Sequence, residues 1–305
     1  MRLTFSDKDL KKPCVLALGM FDGVHTGHAW LLRTAREWGD LEGLPVVACT
    51  FLRHPLAQIR PKDVPPMLST IPERAERMAQ LKVDTLVALP FDEKIMDMSP
   101  KKYVARLVKR FSPKHIVVGF NYSFGRGGEG DPKLLKKLGK KYGFELHVVS
   151  PVQVDEQIVS STRVRELLAQ GKVDMVSTLL ERPYTVTGLV EKGKGLGRVM
   201  GFPTANVAIP PRKALPSFGI YVAKVTTQSG EYPAVVSLGL HPTVPGGGVL
   251  LEAHLIGHKE NLYGQKVRVA FLKRLRDEVR FSGMQELQDQ ISRDVQNTQD
   301  YFGIP

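Results

Sequence analysis

Val15-Leu16-Ala17-Leu18, followed by Phe21-Asp22-Gly23-Val24-His25-Thr26-Gly27-His28, reads as a strand, a tight turn and the start of a helix near Ala29. His25 and His28 flank a glycine and stand beside the free N–H groups of a helix N-terminus, where polyphosphate is favoured. Taken alone, the four residues from His25 to His28 also fit a plain polar turn. The strand-to-helix setting favours the phosphate reading. Working outward, the apolar runs Val46–Phe51, Thr85–Leu89, His115–Gly119 and Glu145–Val149 alternate with helix-like stretches Ala29–Trp38, Ile71–Leu81, Pro100–Phe111 and Pro132–Tyr142. β-rich runs separated by helices predict a Rossmann-like parallel sheet covered on both faces. In such a sheet ligands sit beyond the carboxyl ends of the strands, which is where His25, His28 and the loop at Asn121 fall.

The pattern changes near Glu181-Arg182-Pro183. Ser161 to Gly171 reads as a capped helix. After residue 183 come strand candidates with Gly- and Pro-rich turns: Tyr184–Glu191, Gly219–Thr227, Ala234–Leu238, Leu250–Ile256 and Lys266–Leu272. These predict a small antiparallel barrel. Gln285 to Val295 reads as one amphipathic helix, with Leu287, Ile291 and Val295 at helical spacing. The expected division is therefore an α/β domain over 1–183 and an all-β domain over 184–305.

The 305 residues exceed one ordinary core and fit two domains. A hydrophobic content of 42% against 24% charged residues is that of a soluble globular protein. No apolar stretch approaches the roughly 20 residues that cross a bilayer, and the N-terminus lacks a signal-peptide pattern, so the cytoplasm is expected and no membrane partner. The two cysteines, Cys14 and Cys49, lie in apolar runs and read as small core residues. The net charge of +12 raises nucleic-acid binding as a rival reading. The basic residues are scattered in short groups without the interleaved aromatics of a single-strand platform. Attraction for anionic nucleotides accounts for the charge, and no nucleic-acid partner is expected.

The chemistry that fits the first turn is nucleotidyl transfer, in which an acceptor phosphate attacks the α-phosphorus of a nucleoside triphosphate and pyrophosphate leaves. Such a reaction needs alignment and charge stabilisation more than a covalent nucleophile. Asn121 to Gly130 is a Gly-rich loop after a strand, readable as a ligand loop or as a flexible hairpin. Ser161 or Thr162 can cap the helix that follows, a role compatible with phosphate binding. His54-Pro55 either binds ligand or shapes a turn. Downstream, Gly193-Lys194-Gly195-Leu196-Gly197-Arg198 lets backbone approach phosphate closely but is no Walker motif. Thr204 and Asn206 offer two oxygen ligands suited to Mg²⁺ held with phosphates, or two local hydrogen bonds in a Pro-initiated turn. Glu252 lies in an alternating strand, either as a base or as a solvent-facing residue.

Together with Phe21 to His28, the segments Thr50 to Pro55, Pro90-Phe91-Asp92, Val118 to Gly125 and Ser160 to Arg165 resemble the N-terminal module of prokaryotic bifunctional riboflavin kinase/FAD synthetase. Gly201 to Asn206, Gly219-Ile220-Tyr221, Pro242-Thr243, Glu252-Ala253-His254, Leu262-Tyr263-Gly264 and Leu275 to Glu278 resemble riboflavin kinase. The resemblance implies a six-stranded Greek-key barrel with a C-terminal helix. It implies that Gly23, His25, His28, Ser161, Thr162 and Arg165 meet ATP in the first domain, and Gly195, Gly197, Thr204 and Asn206 in the second. Thr204 and Asn206 would hold Mg²⁺, and Glu252 would be the base. Asn121, Phe124, His54 and Arg276 would lie at flavin, although Arg276-Asp277-Glu278 reads equally as a surface charge cluster. The implied partners are riboflavin, FMN, FAD and ATP, in a monomer or weak homo-oligomer. A nucleotidyltransferase for another phosphorylated acceptor is the alternative.

Overall fold

Cys14, Leu16 and Leu18 point into one hydrophobic core while Val15 and Ala17 point into another. That alternation belongs to a strand buried on both faces. In the computed structural model, which describes every residue except 8, 9, 11, 194–196, 198, 199 and 241–247, the strand is β2 (Cys14–Leu18) of a six-stranded sheet. Its companions are β1 (Arg2–Thr4), β3 (Val46–Phe51), β4 (Thr85–Leu89), β5 (Pro113–Gly119) and β6 (Glu145–Val149). All neighbours are parallel, in the order β1-β4-β3-β2-β5-β6. The helices of this part are α1 (Thr26–Glu42), α2 (Leu56–Ile59), α3 (Ile71–Gln80), α4 (Glu93–Met96), α5 (Pro100–Phe111) and α6 (Pro132–Tyr142). Leu31, Leu32 and Ala35 of α1 and Met78 of α3 seal one face, and Tyr103, Leu107 and Phe111 of α5 with Leu135 of α6 seal the other. Because β2 lies between β3 and β5, the chain turns to opposite sides after these strands. A crevice therefore opens beyond the carboxyl ends of β2 and β5.

Contacts divide the chain into two units, Met1–Ser161 and Thr162–Pro305. A two-residue hairpin of β7 (Gln153–Val154) and β8 (Gln157–Ile158) precedes the division, and α7 (Ser161–Ala169) begins at it. The second unit holds α8 (Val173–Leu180), whose Val173, Val176, Leu179 and Leu180 are buried. It then forms a closed barrel of β9 (Tyr184–Glu191), β10 (Ala205–Val207), β11 (Gly219–Thr226), β12 (Glu231–Leu240), β13 (Val249–Leu255) and β14 (Lys266–Arg276). The order is β10-β13-β12-β11-β14-β9, antiparallel throughout. Among the described residues each strand pairs with a neighbour on either side, which closes the sheet. Tyr221, Val236, Leu251, Ala253, Val269 and Phe271 are each fully buried in its core. Helix α9 (Met284–Phe302) packs on β11 and β12.

The fold class agrees with the reading of the sequence, and several details differ, among them the barrel strand β10, absent from the five strands read from the sequence. Strand β1 extends the sheet beyond β4, α1 begins at Thr26 instead of Ala29, and α9 runs to Phe302. Among the described residues, no helix is long and apolar enough to cross a membrane.

Candidate active sites

The turn between β2 and α1 is strained and held in place. Phe21 has φ 50°, Gly23 φ 79° and Val24 φ 43°. The left-handed region is costly for a β-branched residue such as Val24. Burial of Phe21 and Val24, both at 0% exposure, opposes relaxation. So does Asp22, whose carboxylate accepts from the N–H groups of Leu68 and Ser69 at 3.0 Å each and from the Ser69 hydroxyl at 3.1 Å. Arg74 reaches the same carboxylate at 3.4 Å and donates to the Met20 carbonyl at 2.9 Å. A capping box of Thr70 and Glu73 starts α3 and puts Arg74 in its first turn. The Gly23 N–H donates to Ser69 Oγ at 2.8 Å, and a Cβ on Gly23 would lie 3.0 Å from Leu68.

His25 is the N-cap of α1. Its Nδ1 accepts from the His28 N–H at 3.4 Å, which places the proton of a neutral His25 ring on Nε2. The two rings stack with centroids 3.8 Å apart. Burial, then the charges of His25 and Arg74, push the His28 pKa well below its ordinary value, so the ring is neutral at physiological pH. His28 Nδ1 and Thr26 Oγ1 are buried with no hydrogen-bond partner. Orphaned polar atoms at a helix N-terminus, in the crevice where the sheet order reverses, are what an anionic ligand would satisfy. The Ser161 hydroxyl joins this turn by donating to the Asp22 carbonyl at 3.0 Å.

The loop after β5 is braced. Phe124 and Gly130 exchange backbone hydrogen bonds of 3.0 and 2.8 Å, and the Arg126 N–H donates to the Met98 carbonyl. Phe124 is 5% exposed and its ring stacks with Tyr103 and Tyr122, so it forms part of the core beneath the loop. Asn121 is exposed at the strand end. His54 follows β3, its Nδ1 accepting from the Leu56 N–H at 3.2 Å. Thr162 and Arg165 lie on α7 in the second unit.

In the barrel, the register carries the geometry. Asn206 of β10 stands opposite Glu252 of β13 on one side and Glu191 of β9 on the other, and Glu252 stands opposite Ser237 of β12. Opposed residues in an antiparallel pair share a face with Cβ atoms about 5 Å apart. Their strand neighbours Ala205, Val207, Leu251 and Ala253 are buried in the barrel, so this row lies on the outer face. Two glycines come close to it: a Cβ on Gly193 would lie 2.0 Å from Asn206 Nδ2, and one on Gly197 would lie 3.3 Å from Thr204 Oγ1. Gly195 and Pro242-Thr243 are outside the described residues. Oxygen donors from Thr204 and Asn206, with a carboxylate one strand away and a backbone cradle that only glycine leaves open, fit Mg²⁺. His254 Nδ1–H donates to the Pro203 carbonyl at 2.9 Å and fixes the turn before Thr204. Arg276 is held by Asp294 of α9 through bonds of 2.6 to 3.1 Å. Arg74, Ser69, Glu191, Ser237 and His254 were not singled out in the sequence. Only His254 carried a signal, in the triplet Glu252-Ala253-His254.

One candidate site lies at the switch point of the parallel sheet in the first unit and another on the outside of the closed barrel in the second, and the comparisons assign the chain to the transferases. The family models match in the same order: FAD synthetase over residues 7–163 and riboflavin kinase over residues 180–302. The bifunctional riboflavin kinase/FMN adenylyltransferase of Escherichia coli (strain K12) is 36% identical over 293 residues, covering 95% of this chain and 93% of that protein. The protein of the same name from Bacillus subtilis (strain 168) is 30% identical over 304 residues, covering 97% and 94%. A crystal structure titled as a macrolide-efflux protein from Streptococcus pneumoniae superposes with a TM-score of 0.88 at 31% identity, covering 97% of this chain and 98% of that one. The likeness to it carries the shared fold. The chain belongs to the bifunctional riboflavin kinase/FMN adenylyltransferase family.

Proposed function

We infer that this protein makes FAD from riboflavin in two ATP-dependent steps, phosphorylation to FMN and adenylylation of FMN. The division of labour is 184–305 for the kinase and 1–183 for the adenylyltransferase. The observation that carries the assignment of sites is the orphaned His28 Nδ1 beside the N-cap His25, set against the separate Asn206–Glu252 pair on the barrel.

In the first domain an FMN phosphate oxygen bonds to the ATP α-phosphorus as the bond to the bridging oxygen breaks and pyrophosphate departs. His25 and His28 donate N–H groups to phosphate oxygens, and the first N–H groups of α1 stabilise the charge that accumulates there. Gly23 and Ser161 shape the phosphate turn, Thr162 and Arg165 keep the nucleotide role the resemblance implies, and Asn121, Phe124 and His54 form or support the flavin side. In the second domain Glu252 takes the proton of the riboflavin 5′-hydroxyl, whose oxygen attacks the γ-phosphorus while ADP leaves. Thr204 and Asn206 would hold Mg²⁺, which offsets charge on the transferred phosphoryl when bound. Gly195 and Gly197 admit the phosphates, and Arg276 orders the flavin-side segment through α9. The protein is taken to work in the cytoplasm as a monomer or weak homo-oligomer, without nucleic-acid or membrane partners.

Purified protein given ATP, Mg²⁺ and riboflavin should yield FMN and then FAD on timed chromatography. Absence of both products would overturn the assignment.

A further inference from the structure

The far end of α1 carries a second set of histidines. His115 is the third residue of β5, and Glu145 and His147 are the first and third of β6, with His115 in register with Glu145. Trp38 of helix α1 is 13 residues beyond His25, about 20 Å along the helix axis at 1.5 Å per residue. There Trp38 stacks on both imidazoles, 4.8 Å from the His115 ring and 4.3 Å from the His147 ring. His115 is 4% exposed. Its Nδ1 is 2.9 Å from His147 Nε2. Its Nε2 lies 2.9 Å from Glu42 Oε1.

One nitrogen from each histidine and a Glu145 oxygen lie within 4.8 Å of one another. A tetrahedral ion with bonds of roughly 2.0–2.2 Å separates its donors by about 3.3 Å, so the two imidazoles need part by only a few tenths of an ångström. A ligating histidine characteristically turns its other ring nitrogen to a carboxylate. Glu42 is placed for that at His115. Trp38 forms an apolar wall on one side, while the exposed Glu145 and half-buried His147 leave the other side open for entry. Two imidazoles and one carboxylate select a borderline first-row ion over Mg²⁺.

We propose that His115, His147 and Glu145 bind a divalent transition-metal ion of the Zn²⁺ class, with Glu42 orienting His115 and Trp38 closing the site. The ion ties β5 to β6 beneath the last turns of α1, remote from the turn at His25 and His28. The test uses the full chain, stripped with chelator and without nucleotide. Zn²⁺ titration by calorimetry should give one ion per chain, Co²⁺ should give visible ligand-field bands, and Zn²⁺ should raise the thermal midpoint. His147→Gln and Glu145→Gln, the latter at an exposed position, should abolish the Co²⁺ bands, and Glu42→Gln should weaken binding roughly tenfold. FAD formation by these variants should be unchanged. Equal Zn²⁺ binding by the wild-type and His147→Gln proteins, or no binding by either, overturns the proposal. So does a signal that survives His147→Gln but disappears in His28→Asn, since the ion would then sit at the phosphate turn.

Discussion

Arg74 and Asp22 form an ion pair at 3.4 Å in which both side chains are almost wholly buried, at 0% and 2% exposure. The pair sits under the phosphate turn and is satisfied from all sides by Ser69, Leu68, Thr50 and Met20. Its part is to keep Phe21 and Val24 in their left-handed conformations, so that His25 and His28 face the crevice. Removing one partner leaves a buried, uncompensated charge, which costs about 3–5 kcal/mol. Arg74→Met should lower the denaturant midpoint of the first unit accordingly and depress FAD formation, while riboflavin phosphorylation continues. Asp22→Asn added to Arg74→Met should recover part of the lost stability, measured by the same unfolding curve.

The depressed pKa of His28 gives a pH dependence of definite sign. Above about pH 6.5 the ring is neutral in both folded and unfolded chains. Below it the unfolded chain takes up a proton that the folded turn resists, so stability falls with acidity. Urea midpoints of the first unit should decline as the pH drops from about 7.5 to 5, and His28→Asn should flatten that decline. A steeper slope in the variant would contradict the neutral ring.

The two sites should separate by mutation. His28→Ala should abolish FAD formation and leave FMN formation intact. Glu252→Gln should slow riboflavin phosphorylation by roughly 10²- to 10⁴-fold, the usual worth of a positioned base, and leave conversion of supplied FMN to FAD unchanged. Loss of both activities in either folded variant would refute independent sites.

Gly193 offers a test at the barrel. A methyl group there would meet Asn206 Nδ2 at 2.0 Å, so the Asn206 side chain must swing away from the position it now holds. Gly193→Ala should raise the Mg²⁺ and ATP concentrations needed for riboflavin phosphorylation, read as a KM increase. Adenylylation of FMN should not change.

The sheet was legible because β2 and β3 are near-continuous apolar runs, as burial on both faces demands. The two three-residue strands were not. Arg2-Leu3-Thr4 is too short to show a period, and Ala205-Asn206-Val207 is hidden inside a Pro-led motif. The early start of α1 was missed because an imidazole caps it, in place of the usual Ser, Thr, Asp or Asn. His25 and His28 could be named from their spacing around glycine. Arg74 could not, since in an amphipathic helix rich in charge nothing in one sequence marks which cation turns inward. The opposition of Asn206 and Glu252 depends on strand register across 46 residues of chain, which no local pattern encodes.

Cys14 and Cys49 are both buried in the sheet, and burial pushes each thiol up to about 12. At neutral pH the reactive thiolate then amounts to on the order of one molecule in 10⁵. Neither step of the chemistry draws on sulfur. Alkylating reagents and peroxide, which reduced flavins generate in air, should therefore spare Cys14 and Cys49 in the folded protein and act first on exposed methionines such as Met284.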